Sequence, residues 1–142
     1  MLNRVIVVLV ALVVAFAILG AADNQPAVKK VSPSRTSAAD GKEMFQAYCA
    51  SCHGKDGKGG GPAAPALKSP PPDITKLTAR SNGKFPELRV FSAIRGDLDM
   101  PAHGSKDMPV WGTVFQSMER DPSAQQLRIA NLTKYIEGLQ TT

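Results

Sequence analysis

Apolar positions along this 142-residue chain fall into one unbroken block followed by a patterned remainder. Val5 to Leu19 holds no polar side chain, and Gly20-Ala21-Ala22 closes it with small residues. Residues 23–37 are polar, with Pro26, Pro33, Lys29, Lys30 and Arg35 among small hydroxyl residues. They show no apolar period and read as a flexible linker. From about residue 38 the spacing turns helical. Asp40 can cap a helix running to about Cys49, with Glu43 as its capping-box partner and Met44, Phe45 and Tyr48 on one face. A second helix begins near Pro86, a residue suited to a first turn. It carries Leu88, Phe91, Ala93 and Ile94, and Gly96 ends it. The third is the clearest: Asp121 caps it, Pro122 fills its first turn, and Ile129, Leu132, Ile136 and Leu139 recur at intervals of 3, 4 and 3. That stripe needs a partner helix. No stretch alternates with period two, so the pattern predicts an all-α domain over residues 38–142.

The N-terminal block has two readings. Arg4 before the apolar run and the small residues after it match a cleaved export signal, with Asp23 as the first mature residue. Val5 through Ala22 is also 18 residues long, the lower edge of what spans a bilayer as a helix, so retention as an anchor is the alternative. Either way residues 1–22 place the domain outside the cytoplasmic membrane.

Candidate chemistry is concentrated in Cys49-Ala50-Ser51-Cys52-His53, which uses both cysteines and one of the two histidines. C-x-x-C-H is the attachment sequence of a c-type haem. The thiols add across the two vinyl groups, the residues between them set the span of the thioethers, and the imidazole reaches the iron. Two other chemistries use C-x-x-C. A zinc site normally takes four ligands, and His103 is the single Cys or His left to complete one. A thiol redox enzyme calls for a βαβ setting, whereas this motif runs into the glycine-rich stretch from Gly54 to Gly61. The motif occurs once and no repeat is visible, which gives one domain and one haem. About 100 residues make a marginal core, and the porphyrin would add apolar volume to it.

From Ala39 to Gln140 the chain resembles the class I cytochrome c family, the small all-helical carriers of a single haem. Gly41 and Phe45 in the first helix and Tyr135 in the last match the family's terminal-helix crossing, where a glycine lets two backbones approach closely. The resemblance implies that His53 is the proximal ligand through Nε2, with its other ring nitrogen donating to a proline carbonyl. Gly61-Pro62 followed by Leu67 looks like the family's Gly-Pro segment, so Pro62 takes that role, with Pro65 the alternative. The sixth ligand is expected to be a soft thioether. Met108 lies 55 residues after His53, a usual separation in single-haem members. Met108-Pro109-Val110-Trp111-Gly112 also resembles the ligand loop of a bacterial subgroup. Met100, also followed by proline, and His103 or an open site are the alternatives. Leu67, Ile74, Leu77, Phe91, Ile94 and Trp111 are expected around the porphyrin.

Iron held on both faces leaves no position for substrate. The expectation is therefore an electron carrier with one covalent haem c and its iron, and without a catalytic acid, base or nucleophile. The alternative is a haem subunit of a larger respiratory dehydrogenase or oxidase; a haem enzyme or gas sensor would demand an open iron. Expected partners are redox proteins, with a membrane tether through residues 1–22 if they are retained. The charge of +5 comes from 17 Lys and Arg against 12 Asp and Glu, spread along the chain as on any solvated surface. No basic patch interleaved with aromatics supports nucleic-acid binding.

Overall fold

The computed structural model describes residues 32–67, 69–97, 110–119 and 121–141. The apolar block at the N-terminus, Met100, His103 and Met108 lie outside them. Among the described residues six α-helices run in the order α1 (Gly41–Met44), α2 (Ala50–His53), α3 (Leu77–Arg80), α4 (Glu87–Arg95), α5 (Trp111–Met118) and α6 (Pro122–Gly138). A π-helical turn, Phe45–Cys49, joins α1 to α2, and 3-10 turns occupy Ala64–Ala66 and Ile74–Lys76. There is no strand among the described residues.

The first helical rod starts where its polar residues dictate. The Asp40 carboxylate accepts from the Glu43 N–H at 2.8 Å. Glu43 does not close the expected capping box on the Asp40 N–H, which donates to the Ser37 carbonyl; it reaches past the cap and accepts from the Ser37 N–H at 3.1 Å. The rod does not stop at Cys49, as its apolar spacing suggested, but continues through His53. At the far end of the chain, Asp121 accepts from the Ser123 N–H at 2.9 Å and opens α6.

α6 is the hub of the packing: α1, α4 and α5 all lie against it, and α4 also meets α5. Ile129, Leu132 and Ile136 on α6 bury against Met44, Phe45, Ile94 and Phe115. The close approach of α1 depends on a missing side chain. A Cβ on Gly41 would sit 2.3 Å from the Asn131 carbonyl oxygen and 2.8 Å from Tyr135 Cβ, and beside it the Phe45 and Tyr135 rings are 5.4 Å apart. The crossing predicted from Gly41, Phe45 and Tyr135 is therefore present.

Two expectations change. Leu88 is 82% exposed, and Val90 with Ile94 forms the buried stripe of α4 in its place. Next to the first helix, the described end of the segment read as a linker is held by side chains of the domain. Tyr48 donates its hydroxyl to the Ser34 carbonyl at 2.6 Å, Arg128 donates to the Thr36 carbonyl at 2.8 Å, and the Asn131 amide donates to the Ala38 carbonyl at 2.8 Å. Three polar side chains of the domain thus hold the backbone of residues 34–38.

Candidate functional site

Cys49, Cys52 and His53 occupy the end of the rod, where α-helical carbonyls lose their intrahelical partners. The glycine-rich loop replaces those partners one by one. Ala50 O accepts from the Gly54 N–H at 3.0 Å, Ser51 O from Ala63 at 2.8 Å, Cys52 O from Gly61 at 3.1 Å and His53 O from Gly59 at 2.8 Å. Such contacts need the loop backbone to lie directly on the helix end. At Gly61 a Cβ would fall 2.3 Å from the Ser51 carbonyl oxygen. Gly59 has φ +93° and meets the Pro71 carbonyl oxygen on its other side, where a Cβ would lie at 2.3 Å. The loop is then fastened outward by Ile74, whose N–H donates to Gly57 O at 2.9 Å. Backbone of the motif is fixed on every residue from Ala50 to His53.

Both cysteines are free and partly buried. Burial pushes the Cys49 thiol up to about 12, and the neighbouring Cys52 adds to the shift. A thiol that stays protonated at neutral pH is a poor redox nucleophile, because the thiolate is the reactive species. This counts against Cys49 as a redox nucleophile. Among the described residues no group of three or more His, Cys, Asp or Glu could hold a metal ion on its own.

The donor set does fit a covalently tethered haem. Two free thiols and an imidazole share one helix end, and Cys49 packs against a core whose border residues Leu77, Phe85 and Phe91 are left partly exposed. Of the residues expected around a porphyrin, Ile74, Ile94 and Trp111 are buried, whereas Leu67, Leu77 and Phe91 are partly so. Trp111 begins α5, and its ring lies 5.0 Å from Tyr48 and 5.6 Å from Phe115. Of the two prolines considered for the imidazole, Pro62 and Pro65 are both exposed in the turns after the loop. The candidates for the sixth ligand, Met108, Met100 and His103, fall outside the described residues.

Polar residues that the apolar pattern did not single out support this region from behind. Arg128 is 4% exposed; it pairs with Glu119 at 2.5 Å and donates to the Thr36 hydroxyl at 3.0 Å. Gln140 accepts from the Thr78 N–H at 2.9 Å and donates to the Ile74 carbonyl at 2.8 Å. Asp40 and Asp121 were legible as caps, but Arg128 and Gln140 carry no local signal, since their partners are remote in sequence.

The family model described as Cytochrome c matches residues 38–140. No curated protein and no solved structure matches the chain.

Proposed function

The chain belongs to the cytochrome c family, and from that membership we propose that it is an exported single-electron carrier whose iron is held between His53 and Met108. Membership brings a covalent haem c, and the iron of that group supplies one-electron exchange between its ferric and ferrous states. The observation that carries the site assignment is the helix end itself: Cys49 and Cys52 as free thiols, with His53 next to them on a backbone immobilised by the loop. Cys49 and Cys52 would form the thioethers and His53 would give the proximal nitrogen. Trp111, packed on Tyr48 and Phe115, would exclude water from the segment that leads out of the Met108 loop.

Met108 is assigned on its spacing and on the Met-Pro-Val-Trp-Gly sequence around it. Replacing Met108 by Ala is expected to abolish the weak ferric absorption band of sulfur-to-iron ligation and to let the reduced protein bind carbon monoxide rapidly. Retention of the band moves the assignment to Met100.

Export rests on Arg4, the run Val5–Leu19 and the small residues that follow. Among the described residues no helix is long and apolar enough to cross a membrane, so a tether, if kept, resides in residues 1–22. The intact mass of the mature protein reads both points together: one haem, and either loss or retention of that segment. A stable complex with a catalytic subunit on purification from native membranes would replace the free carrier with the haem subunit of a larger respiratory enzyme.

A further inference from the structure

The rod that carries the attachment motif is wound in two registers. Gly41–Met44 is α-helical, but over Phe45–Cys49 the bonds span five residues, closing with the Ala50 N–H on the Phe45 carbonyl, before the α-helix resumes. A π turn accommodates one residue more than an α turn, so everything beyond it is set back by about one residue's rotation, roughly 100°.

Burial along the rod records that set-back. In an unbroken α-helix Ala50 would point opposite to Gly41 and Ser51 would lie about 80° from it. The reverse is observed: Ala50 is buried at 6% and Ser51 is exposed. The same reckoning applies to the motif. Without the π turn His53 would swing about 120° from Gly41 and Cys49 about 80°, whereas the set-back brings both to within about 20° of it.

We propose that the π turn Phe45–Cys49 is a positioning element that sets the rotational phase of the attachment motif. One extra residue lets the rod keep Gly41, Met44 and Phe45 on the buried side that meets α6 while returning Cys49 and His53 to that same interior side. The inference rests on haem attachment at these residues. Its signature is an asymmetry: taking one residue out of the turn leaves an unbroken α-helix in which the motif keeps its phase, and adding one rotates the motif onward by about 100°. Ala47 is exposed, so the edit can be made there without touching the core.

The test compares the full chain with an Ala47 deletion and with a single alanine inserted after Ala47, each produced alongside haem-attachment machinery and purified as haem-bearing protein. Mass gives covalent haem, and the absorption spectrum with carbon monoxide binding gives the coordination of the iron. The deletion is expected to keep the low-spin spectrum and slow carbon monoxide binding of the parent. The insertion is expected to bind carbon monoxide rapidly or to fail to accumulate. A deletion variant as damaged as the insertion, or an insertion indistinguishable from the parent, overturns the proposal. If the parent itself carries no covalent haem, the attachment reading has failed instead.

Discussion

Arg128 places a guanidinium in the protein interior with every arm engaged. Nε and Nη2 hold Glu119, Nη1 donates to the Thr36 hydroxyl and to the Met44 sulfur at 3.7 Å, and Nη2 also meets the Thr36 carbonyl. Its carbon lies 5.9 Å from the centre of the Phe115 ring. Removing one partner of a buried pair leaves the other uncompensated. Glu119 keeps a quarter of its side chain exposed, so Arg128→Met is expected to lower stability by about 1–3 kcal/mol in urea titrations, chiefly through the Thr36 groups left without a donor, with Arg128→Lys a poor rescue because an ammonium cannot span the same acceptors. Two carboxylates nearer the surface act differently. The Thr75 hydroxyl, above all, holds Asp73 below the usual carboxylate range; burial opposes it, and the Thr75 N–H, Arg80 and Lys76 add to the lowering. Ser123 does the same for Asp121, hydroxyl first. A carboxylate whose folded pKa is depressed stabilises the fold above its unfolded pKa, and that stability drains away as pH falls through the folded value. The Asp73→Asn, Asp121→Asn double variant should therefore show a shallower loss of stability on acidification below about pH 4 than the parent. Cys49, Cys52 and His53 were legible because their chemistry is contiguous. Arg128 was not, for its contact with Thr36 spans 92 positions.

The crossing of α1 on α6 is built around an absent side chain, and its tolerance can be measured. Gly41→Ala forces a methyl against backbone at Asn131 and against Tyr135 Cβ. Neither is the far end of a flexible side chain. Overpacking of this kind costs about 1–3 kcal/mol, and the thermal midpoint should fall accordingly. The terminal helices were predictable because their caps and apolar period agree. α5 was hidden. Trp111-Gly112-Thr113-Val114-Phe115 reads as a ligand loop, and what makes Gly112 necessary is a remote neighbour: its Cβ would lie 2.3 Å from the Arg95 carbonyl oxygen at the end of α4. In α4 two apolar stripes compete, one through Leu88 and Phe91 and one through Val90 and Ile94. Packing against α5 and α6 selects the second, a choice no local period expresses.

Taken whole, the molecule closes on itself through its last residues. Gln140 bridges the end of α6 to Ile74 and Thr78, and the Thr141 N–H donates to the Thr75 carbonyl at 3.0 Å. The adjoining Ile74 is bonded to Gly57, so the end of the chain, the middle segment and the glycine-rich loop form one connected unit. All-α architecture was evident from the sequence, but this linkage was not: a stretch such as Gly57-Lys58-Gly59-Gly60-Gly61 has the composition of a flexible connector. Hydrogen exchange should contradict that composition. The amides of Gly54, Gly59, Gly61 and Ala63 are each spent on a helix carbonyl, so they can reach solvent only when the end of α2 opens. Their exchange is expected to be slow and to share one opening free energy with the amides of α2. Fast exchange at Gly59 and Gly61 beside a protected helix would show the loop breathing independently. If the rates agree, the most glycine-rich segment of the protein belongs to one of its cooperative folding units, and the loop unfolds together with the helix end that carries the C-x-x-C-H motif.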